Sequence, residues 1–207
     1  MYFVAIKMGR RLGSRRVGGV LDEVDGALRT PTRPYADTPK RSPSSRIDPH
    51  DSQGENIVVH KIVIDSKTQF LNLFSGNQLV FAAPVSTSRF GLGFELGSRK
   101  TPTGSFRVRE KIGGEMPIGT VFKGRRPIPA SVDGSAEGDL ITSRILWLDG
   151  LEENNANTRE RYIYIHGTKQ EQSIGQPASD GCIRMRNADV IRLFDLVEVG
   201  VLVEILG

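Results

Sequence analysis

The spacing of the apolar residues constrains this chain most. From Ile57 to Leu206 they arrive in short runs with a period near two, broken by glycine, proline and polar turn formers, and one stretch only repeats at helical spacing. Successive side chains of a strand point to opposite faces, so each run buries one face and needs a partner to cover it. A mainly β domain follows. Residues 57–65 are rich in β-branched side chains, 70–74 form a second run, and Ser75-Gly76-Asn77-Gln78 has hairpin chemistry before 79–86. Phe106, Val108 and Glu110 alternate after the breaker Thr101-Pro102-Thr103-Gly104, and 141–148, 162–166 and 201–206 are further strands. The helix spans 188–197, with Asn187 as N-cap, Asp189 in the first turn and Val190, Leu193, Phe194 and Val197 on its apolar face. Residues 87–100 and 123–139, rich in glycine, proline and basic side chains, read as loops that could wall a substrate site.

Residues 1–55 are built differently. Pro31, Pro34, Pro39, Pro43 and Pro49 fall among serines and charges with almost nothing apolar, a composition that cannot offset its ordering entropy. This segment reads as a basic, disordered leader or linker with at most a short helix at 20–28, and 56–207 as the folded domain. Of the net charge of +4, the first 56 residues hold +3. The folded part is therefore nearly neutral and has no basic stripe interleaved with aromatics, which excludes nucleic acid as a partner. No apolar run approaches the roughly 18 residues that span a bilayer, and no secretory signal is legible: Met1 to Ile6 is too short an apolar region and is followed by Arg10, Arg11, Arg15 and Arg16. Three histidines and one cysteine offer no ligand pair at zinc spacing, so neither metal nor cofactor is expected.

The single cysteine, Cys182, lies in Ser179-Asp180-Gly181-Cys182-Ile183-Arg184-Met185, sixteen residues after His166. A thiol is largely protonated at neutral pH, and an imidazole that takes its proton makes it a nucleophile. A lone cysteine is otherwise a small buried hydrophobe. Here Gly181 lets the backbone bend and expose its amides, Ser179 and Asp180 favour a turn, and Arg184 and Arg186 are placed to favour a thiolate. Alternation through 161–166 puts Tyr162, Tyr164 and His166 on one face, with His166 leaving the sheet at a strand end beside Gly167.

The run Tyr164-Ile165-His166-Gly167-Thr168, then Ile174-Gly175, the cysteine motif, Asn187 and Asp189-Val190 closely resembles the catalytic core of the L,D-transpeptidases with a YkuD-type domain. Thr101-Pro102-Thr103-Gly104-Ser105-Phe106 is similar to that family's TP-x-G-x-F segment, and the resemblance covers 57–207. It implies a β-sandwich with one short helix before the last strand, located in the cell envelope or periplasm. The implied reaction is attack by Cys182 on the third residue of a peptidoglycan stem tetrapeptide, with release of D-alanine and formation of a thioester. An amine of a second stem then takes the acyl group, giving a 3→3 cross-link.

By the same resemblance His166 is the base, the Gly167 carbonyl orients its ring, and the amides of Gly181 and Cys182 hold the oxyanion. Arg184, Ser179, Asp180 and Tyr164 are the expected substrate contacts, Arg184 by bidentate capture of a carboxylate. Related members release tripeptide by hydrolysis, or attach or detach an envelope lipoprotein, which makes such a lipoprotein a second expected partner; carbapenems acylate the family. A catalytically idle peptidoglycan-binding module is the alternative of another class. One position departs from the family pattern: the residue before Gly181 is usually histidine, and Asp180 there is expected to raise the Cys182 pKa by like-charge repulsion.

Overall fold

The computed structural model describes residues 60–129 and 139–207. The expected leader, its short helix and the first residues of the first expected strand lie outside the described residues. Strands β1 (His60–Asp65), β2 (Phe70–Ser75) and β3 (Gln78–Pro84) form an antiparallel meander. Ser75 pairs with Gln78, and Gly76 takes a φ of +58° in the turn between them, a conformation that costs glycine little. The last strand, β10 (Leu202–Leu206), returns parallel to β1 and pairs on its other edge with β4 (Gly104–Ile112).

The sheet continues from β4 to the long strand β7 (Ile141–Gly150). One edge of β7 is shared: Ile145 to Gly150 pair with β4, while Ile141 and Thr142 pair with β5 (Val121–Lys123), which forms a small hairpin with β6 (Arg126–Pro127). The other edge takes β8 (Tyr164–Thr168), to which β9 (Ile183–Met185) pairs in parallel. All ten strands are one hydrogen-bonded sheet that curls around its own core. Register shifts at Val108/Glu110 and Thr142/Ile145 help it curl, since a bulge bends a strand and increases its twist; Ser143, inside the second, has a φ of +63°.

Period two decides what each face meets. Leu146 and Leu148 of β7, Ile165 of β8 and Ile183 and Met185 of β9 enter the main core with Ile62, Leu71, Phe106 and Val203. Ile145, Trp147 and Tyr164, from the same strands, form a second apolar cluster with Phe122 on the opposite face, and Cys182 packs against it. Helix α1 (Asn187–Leu196) covers the main core through Val190, Leu193 and Phe194, as its pattern predicts.

Two local expectations are corrected. Arg186, not Asn187, stands at the N-cap, and no side chain caps the helix; Asn187 uses its amide elsewhere. The segment 123–139, expected as loop, contains the β5–β6 hairpin turn and β6 among its described residues, because pairing of β5 with β7 and of β6 with β5 completes strands too short to show a period.

Candidate active site

In the parallel β8–β9 pair, His166 lies opposite Arg184 and Ile165 opposite Ile183. Cys182, the residue just before β9, shares the face of Arg184, Tyr164 and His166, away from the isoleucines. Nucleophile and base candidates sixteen residues apart in sequence thus become diagonal neighbours on adjacent strands. His166 does not leave the sheet at a strand end as expected. Its strand runs on to Thr168, and Gly167 pairs with Met185 on one side and Thr142 on the other. Gly167 has to lack a side chain there: a Cβ would lie 2.6 Å from Asn187 Oδ1 and 2.7 Å from the Thr142 carbonyl.

The imidazole of His166 is 1% exposed. Its Nδ1 lies 2.7 Å from the carbonyl of Gly167. A carbonyl can only accept, so Nδ1 carries the proton and Nε2 keeps its lone pair. Burial pushes the His166 pKa below its ordinary 6.5, opposed by the Asp139 carboxylate. The ring therefore rests neutral. Below it Asn187 accepts from the Thr142 hydroxyl at 2.6 Å and donates to the Thr168 carbonyl at 2.9 Å and to Glu171 at 2.7 Å. The first helical residue thereby ties β7, β8 and the following turn together.

Gly181 has a φ of +121°, a region that side-chain-bearing residues rarely enter, and a Cβ would meet the Arg99 carbonyl at 3.4 Å. Ser179 is fully buried; its hydroxyl donates to the Cys182 carbonyl at 2.6 Å and accepts from the Gly181 N–H at 3.2 Å. It shapes the turn from within. From the segment 87–101, Thr101 donates its hydroxyl to the Gly181 carbonyl at 3.0 Å and accepts the Ser88 N–H at 3.0 Å. The expected loop is a cradle for the cysteine turn; Thr101 stands out in sequence as the start of the TP-x-G-x-F-like segment, but its contact with Gly181, 80 residues away, is not local, and Ser88 carries no signal.

Asp180 turns away and pairs with Arg89 at 2.7 Å. The thiol of Cys182 donates to the Tyr162 carbonyl at 3.4 Å, and burial pushes its pKa up to about 12, Asp139 adding to the rise and Arg184 and Arg161 opposing it. Two expectations change here. The nearby cations do not win, because desolvation disfavours a thiolate more than they favour it, and the carboxylate that raises the pKa is Asp139 rather than Asp180, which Arg89 neutralises.

Arg184 is the other surprise. It is fully buried, with Nη1 3.1 Å from Asp139 Oδ1 and 2.9 Å from Gln170 Oε1, and Nη2 3.3 Å from Ser173 Oγ. Only its Nε lacks a hydrogen-bond partner. The guanidinium is an internal anchor between β9 and the approach to β7. Tyr164 is also buried, its hydroxyl accepting from Arg125 Nη1 at 3.3 Å and its ring edge-on to Trp147 at 5.9 Å. Burial raises the Tyr164 pKa, so the phenol stays protonated. Arg125, Trp147 and Asp139 were not singled out from sequence; each reaches the site through pairing of distant strands.

The curled β sheet thus brings a lone cysteine, at the entry to the outer strand β9, close to a buried histidine on the neighbouring strand β8. The model of the L,D-transpeptidase catalytic domain, YkuD, matches residues 59–205, and the chain belongs to that family. It is 27% identical over 139 residues to "Putative L,D-transpeptidase YqjB" of Bacillus subtilis (strain 168), covering 67% of this chain and 66% of that one. It is similar in structure to an L,D-transpeptidase from Mycobacterium smegmatis (19% identity, 72% of this chain and 58% of that one, TM-score 0.47). The corresponding figures for L,D-transpeptidase 3 from Mycobacterium tuberculosis in complex with a faropenem-derived adduct are 15%, 72%, 60% and 0.48. The chain thus spans just under two thirds of the length of that curated relative and less of the solved ones.

Proposed function

We propose that this protein is a cysteine L,D-transpeptidase of the cell envelope, acting on peptidoglycan stem tetrapeptides. The observation that carries the reading is the placement of Cys182 diagonally across a parallel strand pair from His166, whose Nδ1–H is committed to the Gly167 carbonyl. A neutral imidazole with an unprotonated Nε2, one diagonal step across adjacent strands from a protonated thiol, is a base and nucleophile in matched states.

The steps follow from that pairing. When the substrate carbonyl docks, the thiol leaves the Tyr162 carbonyl and passes its proton to His166 Nε2 as sulfur attacks. Negative charge gathers on the former carbonyl oxygen, and the amides of the Gly181–Cys182 turn are the donors that stabilise it. The Gly181 N–H, held by Ser179 over a long 3.2 Å, is shared with the oxyanion. The imidazolium then protonates the departing amine of D-alanine, leaving a thioester on Cys182. An amine of a second stem attacks, His166 takes its proton, and collapse expels the thiolate, which regains that proton. The raised thiol pKa restrains the cysteine until a substrate is in place.

Intact-mass measurement tests acylation. Exposure to a β-lactam of the penem or carbapenem class should add one molecule to the native protein and none to Cys182→Ala; no adduct on either sinks the enzyme reading and leaves the idle binding module. Incubation with purified disaccharide tetrapeptide then decides the acceptor. A cross-linked dimer supports transpeptidation, and tripeptide alone identifies the hydrolase.

A further inference from the structure

We propose that the cleft between Arg125, Trp147, Arg159 and Tyr162 binds a carboxylate-bearing arm of the peptide substrate, a specificity site that rests on the function proposed above. The cleft encloses about 550 Å³. The indole of Trp147 forms its floor, with the guanidinium of Arg125 4.4 Å and that of Arg159 5.5 Å from the ring centroid. The ring of Tyr162 lies 6.2 Å from the indole at an interplanar angle of 23°, and Arg125 stands 5.5 Å from it as well.

Two cations on one ring are separated by no more than about a Debye length, roughly 10 Å at 0.1 M salt, so each feels the other. Neither is ion-paired with a carboxylate among the described residues. Asp149, which also lines the cleft, is taken by Arg107 at 2.8 Å and Arg109 at 3.8 Å; Glu160 lines it too and Glu110 acts on Arg125 from a distance, but neither forms an ion pair with the two guanidiniums. An aromatic floor with two planar cations that hold no ion pair suits a carboxylate flanked by extended peptide, because a guanidinium stacked on a ring keeps its in-plane N–H groups free for an anion. The cleft also adjoins the chemistry: the Tyr162 carbonyl accepts the Cys182 thiol, and the Arg125 fork reaches the Tyr164 hydroxyl.

The test uses the whole chain as Cys182→Ala, which binds without turnover, and the fluorescence of Trp147, its single tryptophan. The probes are the donor tetrapeptide and the acceptor tripeptide, each with free carboxylates and as its fully amidated twin. The acid form of one or both should change the emission saturably. Amidation, or Arg125→Gln with Arg159→Gln, should weaken that binding about ten-fold or more, the scale of a lost charge-assisted hydrogen bond. Whichever peptide loses more owns the arm. If the double variant does not fold, Arg159→Gln alone serves, since that side chain is exposed and holds no hydrogen bond among the described residues. Equal affinity for acid and amide, or for native and Gln variants, overturns the proposal. Cross-linking by the native-cysteine protein separates the two readings: transfer without discrimination sinks the cleft alone, and discrimination without transfer keeps the cleft and sinks the activity.

Discussion

Cys182 holds its proton in the resting protein, and that sets how its reactivity varies with pH. With the thiol pKa pushed up to about 12, alkylation by iodoacetamide should keep accelerating as pH rises through 9.0, the ordinary thiol value, with no plateau there. A plateau near neutrality would mean a preformed thiolate. The proposed acylation uses the neutral form of His166, whose pKa lies below 6.5, so the rate should hold as pH falls to 6.5 and drop only below it; an acid limb centred above 6.5 in kcat/KM contradicts this. Asp180→His should leave acylation in place and shift the thiol pKa little, because the aspartate is already paired with Arg89. Gly181→Ala forces a Cβ into left-handed backbone against the Arg99 carbonyl, at a cost of about 1–2 kcal/mol in denaturant unfolding and most of the activity.

Elements deliver these residues. Asn187 reads as a cap in sequence, yet it bridges β7, β8 and the turn at Glu171. Asn187→Ser would keep a capping side chain and lose the bridges; it should destabilise nearly as much as Asn187→Ala, by about 1–3 kcal/mol, with urea unfolding as the measure. A near-neutral serine variant would restore the capping role. The Arg184–Asp139 pair joins β9 to the approach to β7 with both side chains largely buried. Removing one partner strands a charge and should cost about 3–5 kcal/mol, whereas Arg184→Met with Asp139→Leu should recover part of that.

At the scale of the molecule, the curled sheet lets one strand serve two purposes. Along β7, alternate residues fill the main core or the cluster under Cys182 and Trp147, so the site sits on the reverse of the surface that stabilises the domain. Leu148→Ala, on the core side, should destabilise by about 2–5 kcal/mol and leave the chemistry of any folded fraction unchanged, read as unchanged adduct yield per folded molecule. Among the described residues no helix is long and apolar enough to cross a membrane.

Period two, turn residues and one helical repeat were enough to read a mainly β domain and its helix before the last strand, because alternation is a property of neighbours in the chain; pairing Cys182 with His166 rested on the resemblance of their motifs to a known family. The continuation of β8 through Gly167 was not legible, since it depends on an Asn187 amide packed where a side chain would stand. Nor were the Thr101 cradle, the burial of Arg184 against Asp139, or the neutralisation of Asp180 by Arg89, all contacts across tens of residues. Sequence by itself determined which atoms can do chemistry. The tertiary structure alone decided their protonation and partners, because desolvation and ion pairing are set by which distant segments close over a group.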